Sequence, residues 1–265
     1  MPKVRSISAF FPAYNDGGTI ASMAVSALLT LQELVDDYEV IIIDDGSSDY
    51  TGWVIDELAR RYERLRVIHH GKNCGYGGAL RTGFASAQKD WVFYTDGDAQ
   101  YDPRELKHLV AALEREGAPV DAVNGYKISR NDPLARIIIG RLYHHIVRLA
   151  FGFRLRDVDC DFRLIRRAAL DRVTLCSDSG SICLELVKKL QDARMRFIEV
   201  PVHHYHRAYG RSQFFNLPRL WRTALQLMDL WWRLVIKKEH LQAAPVVPQA
   251  LPVRGAPGPA KGDGA

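Results

Sequence analysis

No window of this chain approaches the ~18 consecutive apolar residues of a membrane-spanning helix, so none is expected. The N-terminus passes almost at once into VRSISAFFPAYN. It lacks the charged-then-apolar pattern and small-residue cleavage site of a signal peptide, so none is expected. Cysteine is scarce, and Cys74, Cys160, Cys176 and Cys183 show no C-x-x-C spacing. Neither a disulfide framework nor a thiolate zinc site follows, and reduced thiols of a cytoplasmic protein are the expectation. Histidine occurs as the pairs His69-His70, His144-His145 and His203-His204, never at HExxH spacing, so no histidine-built metal site is expected. The net charge is only +5, and the basic residues are not interleaved with aromatics along one short stretch. Nucleic acid is therefore not an expected partner. No internal repeat is visible.

The 265 residues are 47% hydrophobic and 25% charged, an ordinary globular composition long enough for a well-buried core. From Val4 to Asn124 short apolar runs alternate with longer helical ones. Strands are expected at Ile7–Phe11, Tyr38–Ile43, Leu65–His69, Trp91–Thr95 and Val120–Asn124. Helices are expected at Thr19–Leu34, Thr51–Tyr62, Gly78–Gln88 and Pro103–Glu116. This alternation predicts an α/β fold, a largely parallel open sheet with helices on both faces. The unbroken VIIID run suits a strand buried on both sides. After Gly125 the chain turns basic and helical, with helices expected around Ser179–Gln191 and over Leu217–Lys237. From Leu241 onward it is rich in Pro, Gly and Ala without periodicity and reads as a disordered tail. The expected organisation is a domain over 1–212, an amphipathic helix within 213–240 and the tail over 241–265.

Two strands end in clustered carboxylates: EVIIIDDGSSD gives Asp44 and Asp45, and VFYTDGDAQ gives Asp96 and Asp98, followed by Gln100. Like charges at that density repel unless something positive lies between them. In an open parallel sheet ligands bind outside the carboxyl ends of the strands. Pro12–Asn15, Asp44–Asp45, the loop His70–Gly77 and Asp96–Asp98 should therefore face one crevice. Side chains two apart on an extended stretch point the same way, so Asp96 and Asp98, with Gln100 continuing the spacing, can present oxygens to one Mg²⁺ or Mn²⁺. The competing reading of DGD alone is an Asp-Gly turn with solvated acids. A glycine cradle for phosphate does not fit. Lys72 precedes Asn73 where a P-loop needs Ser or Thr, and Leu80 stands at the third glycine of a dinucleotide fingerprint.

FFPAYNDGGTI, VIIIDDGSSDYT, NCGYGGALRTGF and YTDGDAQYDPREL, in that order, resemble family 2 glycosyltransferases of the GT-A fold. DVDCDFRLIRR and HRAYGRSQ narrow the resemblance to the dolichyl- or polyprenyl-phosphate sugar synthase branch. It covers roughly Val4 to Ser212. It implies that Pro12, Ala13, Tyr14, Asn15 and Asp44 hold the nucleoside, with Asp45 beside them, and that substrate contact extends to Asn73 and Ser212. It implies that Asp96 and Asp98 bind the metal on the diphosphate beside Gln100, and that Arg207 binds the acceptor phosphate. The reaction implied is a single displacement that inverts the anomeric carbon of a nucleotide-diphospho-sugar. A lipid-phosphate acceptor is already ionised near neutral pH and needs cations rather than a strong base. Lys127, Arg130, Arg136 and Arg207 are available, with Arg207 and Lys127 favoured.

The chain also departs from the pattern. Lys127 stands where relatives often carry Arg, without its bidentate fork, and Gly140 stands where a phosphate-binding Ser is expected. The transmembrane helices that many such synthases carry after the catalytic domain are absent from the sequence. Were the acceptor a sugar hydroxyl, a carboxylate would have to take its proton. Glu185 in SICLELVKKL lies where such a base could sit, and a solvated helix acid paired with Lys188 or Lys189 is the equal alternative. In DVDCDFRL, a turn before a strand with Arg163 pairing to an acid competes evenly with sugar or acceptor contact. A sugar-nucleotidyltransferase should carry a basic Gly-rich loop after the first strand, where PAYNDGG has Asp16. A non-catalytic binding subunit is less consistent with an intact Asp-x-Asp.

Between Leu217 and Lys237, the residues Leu217, Trp221, Ala224, Met228, Trp231 and Val235 recur at spacings of four and three. Arg219, Arg222, Gln226, Asp229, Arg233 and Lys237 line the opposite side. That is the composition of an interfacial helix, so a peripheral membrane location is expected. The alternatives are packing on the protein's own core or on a partner subunit, a transmembrane one included.

Overall fold

Continuous apolar runs become the strands of one seven-stranded sheet in the computed structural model, which describes residues 4–128, 144–207 and 217–242. The strands are β1 (Ser6–Ala13), β2 (Asp37–Asp44), β3 (Leu65–His69), β4 (Trp91–Thr95), β5 (Ala122–Lys127), β6 (Phe162–Arg166) and β7 (Phe197–Val202). Their order is β3-β2-β1-β4-β6-β5-β7. β1 to β4 are mutually parallel, β6 runs antiparallel to β4 and β5, and β7 is parallel to β5. The expected largely parallel sheet is present, with β6 as its reversed strand.

Alternate side chains along the central strands serve two separate cores. Phe11, Ile42 and Phe93 pack with α1 (Ile20–Leu34), α2 (Thr51–Arg61) and α4 (Leu106–Arg115). Phe10, Ile41, Ile43, Val92 and Tyr94 pack with α3 (Gly75–Ser86) and α7 (Ile182–Asp192). Both faces are therefore apolar, which is why VIIID does not alternate; each such side chain fully buried stabilises the fold by about 1.5–3 kcal/mol. A third cluster joins a helix over residues 144–151 (α5), α7 and a C-terminal helix, α8 (Leu217–Trp231), through Val147, Phe151, Leu184, Leu230 and Leu234. A short helix, α6 (Arg167–Leu170), follows β6; α8 continues as a π-helical segment, Trp232–Ile236, and α9 (Glu239–Gln242) follows it.

Boundaries shift where tertiary contact overrides local signal. α3 begins at Gly75 rather than Gly78, because the chain at Ser177–Asp178 lies directly on its first turn. A Cβ on Gly77 would come within 2.1 Å of the Ser177 carbonyl oxygen. β7 escapes the sequence pattern because it is a short edge strand carrying Glu199 and Pro201, and proline is tolerated there.

Candidate active site

Sheet register brings the predicted landmarks together. Ala13, Asp44 and His69 end their strands side by side, and Phe10 pairs with Tyr94, so β4 ends on the same edge two residues short of Ala13 and Asp96 continues from there. Strand order reverses between β1 and β4, with β2 on one flank of β1 and β4 on the other, which opens the crevice in which such sheets bind ligands.

On the β2 side, Asn15 (φ 57°) sits in the left-handed region that Asn tolerates, and its Oδ1 accepts the Ser48 amide at 2.9 Å. The amide of Asn15 reaches Ser47 Oγ at 3.0 Å, so the β1 and β2 loops are laced together. Pro12 and Ala13 lie inside buried β1, and the Ala13 carbonyl accepts the Asp45 amide, while the Tyr14 ring is exposed at the rim. Asp44 Oδ2 lies 2.8 Å from His69 Nδ1, and its Oδ1 accepts the Ser47 amide. Burial opposes ionisation of Asp44, but His69 and Ser47 hold it below the usual carboxylate range. The bond to Asp44, aided by Asp56 on the other nitrogen, pushes His69 up to about 9 against the cost of burial. A raised histidine stabilises the fold below its unfolded value near 6.5 and loses that stabilisation as pH climbs through 9. Denaturant midpoints should therefore fall between pH 6.5 and 9 in the native protein, and His69→Gln should flatten that slope.

Asp45 is fastened to buried His70 at 2.7 Å and to the Cys74 amide at 2.8 Å. Asp45, His70 and Cys74 are the one group of metal-ligating types that converges among the described residues. Its imidazole nitrogens are engaged by Asp45 and Thr82 (2.9 Å), so the group reads as a strut between β2, β3 and α3. Asn73 Oδ1 accepts the Gly75 amide, helping to start α3. Gly46, at φ +72°, lets this loop pass, since a Cβ there would meet the Asn73 nitrogen at 2.8 Å.

On the β4 side, Asp96, Gly97 and Asp98 form a turn rather than an extended stretch, and Ala99 has φ 60°. The extended stretch expected for the pair is therefore replaced by a turn, and the two carboxylates take different partners. Asp96 Oδ1 accepts the Tyr76 hydroxyl at 2.7 Å. Asp98 is buried and takes Nη2 and Nε of Arg207 on one oxygen, at 2.7 and 3.1 Å. Thr19 Oγ1 donates to the Gly97 carbonyl at 2.8 Å, pinning the turn to the start of α1. Burial, with Asp161 and Asp98 nearby, pushes Asp96 well above the carboxylate range. Burial, with Asp98 adding to it, raises Asp16 to about 6, although the Tyr14 amide and Arg207 oppose this. Asp96 thus feels Asp16, Asp98 and Asp161, with Arg207 bonded to Asp98 and Arg163 3.5 Å from Asp161, an excess of negative charge that a hard divalent cation would relieve. That donor set fits Mg²⁺ or Mn²⁺. Gln100 donates its side-chain amide to the Tyr205 carbonyl at 3.1 Å.

Other predicted residues fall elsewhere. Lys127 Nζ donates to the Asp159 carbonyl at 2.8 Å and lies 3.6 Å from Asp157, so it braces the DVDCD turn. Buried Arg163 bonds Asn124 Oδ1 at 2.6 Å, the Tyr94 hydroxyl and the Val158 carbonyl, and lies 3.5 Å from Asp161. The turn-before-a-strand reading of that segment is the one realised, and it also delivers Asp161 to the acid cluster. Glu185 is neither a solvated acid nor a free base. It is fully buried, bonded to Lys189 at 2.6 Å and to the Cys176 and Ser177 amides. Against burial, Lys189 and Ser177 keep it below the usual range. Glu185→Gln should leave a buried ammonium unpaired and lower stability by about 3–5 kcal/mol in denaturant titration, with turnover of the folded fraction little changed. Arg130, Arg136, Gly140 and Ser212, like the tail beyond Gln242, lie outside the described residues.

Sequence reading missed Tyr76, Asp16 and His69. Each is a single residue whose role depends on which strand end it faces. The usable signal was position, since Asp16 follows β1 and His69 ends β3.

The model of the family described as "Glycosyl transferase family 2" matches residues 8–174. Among curated proteins, undecaprenyl-phosphate 4-deoxy-4-formamido-L-arabinose transferase of Proteus mirabilis is 28% identical over 96% of this chain and 74% of its own length. Glycosyltransferase AglD of Haloferax volcanii is 29% identical over 91% of this chain, which spans only 39% of that protein. Among solved structures, glucosyl-3-phosphoglycerate synthase from Mycobacterium tuberculosis, in complex with Mn²⁺, uridine diphosphate and glucosyl-3-phosphoglycerate, superposes with a TM-score of 0.66 at 21% identity. That match covers 86% of this chain and 79% of the synthase, and it shows the shared GT-A fold. With the strand-end carboxylates arranged as above, the chain belongs to glycosyl transferase family 2.

Proposed function

We propose that this protein transfers a sugar from a nucleotide-diphospho-sugar to a polyprenyl phosphate, inverting the anomeric carbon. The observation that carries the reading is Arg207 held against Asp98: a cation fit for a phosphate nucleophile stands beside the acids fit for a metal-bound diphosphate. The undecaprenyl-phosphate arabinose transferase supports the acceptor class. The synthase complex with uridine diphosphate and Mn²⁺ supports a nucleoside diphosphate and a divalent ion. The hydroxyl-acceptor alternative loses the base offered to it, because both Glu185 oxygens are engaged.

In this reading Tyr14, Asn15, Asp44 and Asp45 border the nucleoside, with Pro12, Ala13 and Asn73 shaping the loops behind them. Asp96 and Asp98 would hold the ion, assisted by Asp16 or Asp161 and near Gln100. When bound, Mg²⁺ or Mn²⁺ supplies charge neutralisation at the departing diphosphate. Arg207 swings from Asp98 to orient the acceptor phosphate, whose ionised oxygen attacks without a general base. Lys127, Arg130, Arg136 and Ser212 are proposed to assist with acceptor or donor contact, Lys127 also through the turn it braces. The catalytic domain is taken as 1–212. A lipid-borne acceptor places the work at a membrane surface, directly or through a transmembrane partner. Incubating the protein with labelled UDP- and GDP-sugars and a polyprenyl phosphate is the test. A labelled, mild-acid-labile lipid product is expected, and transfer to a sugar hydroxyl instead would overturn the reading.

A further inference from the structure

α8 carries more apolar surface than its own protein covers. Leu227, Leu230, Trp231 and Leu234 face the core with Val147 and Phe151 of α5, and the Trp231 indole donates to the Ala150 carbonyl at 2.9 Å. The stripe expected from sequence straddled two faces: Trp231 and Val235 pack inward, whereas Trp221 and Met228 are 69% and 64% exposed. The outward apolar row is Trp221, Leu225, Met228, Trp232 and Ile236, at spacings of four, three, four and four. On an ideal helix it is one continuous strip, separate from the polar strip of Arg222, Gln226, Asp229 and Arg233. Since the helix is already anchored by its inner face, the outer row packs in no core cluster among the described residues. Across residues 144–151 and 217–242 the sequence has six basic residues (Arg148, Arg219, Arg222, Arg233, Lys237, Lys238) against two acidic ones (Asp229, Glu239). No helix among the described residues is long and apolar enough to cross a membrane.

We propose that this outer row of α8 is the surface that lies in the head-group layer of an anionic bilayer, flanked by its basic residues. Tryptophans on an amphipathic helix with excess positive charge fit that environment better than a protein partner, because they match both the interfacial layer and the anionic head groups. The proposal rests on the reading of a lipid-borne acceptor, and it assigns the surface that brings the enzyme to it.

The test is flotation of the full chain with vesicles of phosphatidylglycerol and phosphatidylcholine, compared with the variant W221S/M228S/W232S. Native protein should float at low salt, release at high salt and show a blue-shifted tryptophan emission. The variant should partition at least about tenfold less, while its far-ultraviolet dichroism is unchanged. Native protein that stays soluble, or a variant that floats equally well, overturns the assignment. So does a native dimer that the substitutions split without any vesicle binding, which would give the face to a second copy. A short, water-soluble isoprenyl phosphate separates the two readings. Equal turnover of native protein and variant on it keeps the chemistry while the docking is judged by flotation. If native protein floats but neither turns that acceptor over, the acceptor reading fails and the surface stands.

Discussion

Asp98→Ala should remove nearly all sugar transfer, by roughly 10³-fold, and with it high-affinity Mn²⁺ binding. A divalent ion at a departing diphosphate is worth several kcal/mol, and each 1.36 kcal/mol is about tenfold in rate. The effect should be chemical rather than structural, because Asp98 lies in a turn whose fastening to α1 runs through the Gly97 carbonyl. Asp96→Asn is the sharper partner experiment. It keeps the shape and an oxygen for the Tyr76 hydroxyl while removing the charge. Mn²⁺ titration by paramagnetic resonance should show both variants binding weakly with normal circular dichroism. EDTA should silence the native enzyme, and Mn²⁺ or Mg²⁺ should restore it. Full turnover in EDTA would sink the metal assignment.

Arg207→Gln should produce the second large effect, and in two opposite directions. Loss of a charge-assisted contact to the acceptor phosphate, worth about 1.5–3 kcal/mol, should lower kcat/KM for the lipid phosphate roughly 10–150-fold. Mn²⁺ affinity in the absence of substrates should rise, because Arg207 occupies the Asp98 oxygen that the ion needs. Donor affinity measured calorimetrically at saturating metal should hardly change. If donor and acceptor affinities fall together, Arg207 belongs to the diphosphate site instead. Linkage makes a further demand: an acceptor phosphate that draws Arg207 away must tighten metal binding by the same factor that metal tightens the acceptor. Absence of that reciprocity would refute the shared guanidinium.

Much of this is legible in the sequence. Doubly buried strands announce themselves by unbroken apolar runs, and a parallel sheet with helices on both faces forces its strand ends into one crevice. The acids at Asp44, Asp45, Asp96 and Asp98 could therefore be placed on one edge from their positions in the chain. Their partners could not. Whether Asp96 and Asp98 point alike depends on a turn with Ala99 at positive φ, and whether Glu185 is a base or a brace depends on the Cys176–Ser177 amides delivered to it from the preceding loop.

Periodicity fixed that α8 is amphipathic, because the helical repeat is local. It could not say which part of a wide apolar arc the protein keeps, since that follows from where α5 and α7 stand. Likewise the sequence by itself determined the parallel half of the sheet, β1 to β4, and the acids at its strand ends, but not the reversed β6 or the edge strand β7. Only the tertiary structure decided that Arg207 guards Asp98, that Tyr76 holds Asp96 and that Asp16 and Asp161 complete the cluster. Those contacts join residues up to 109 positions apart, and at such separation no local pattern records which side chains will meet.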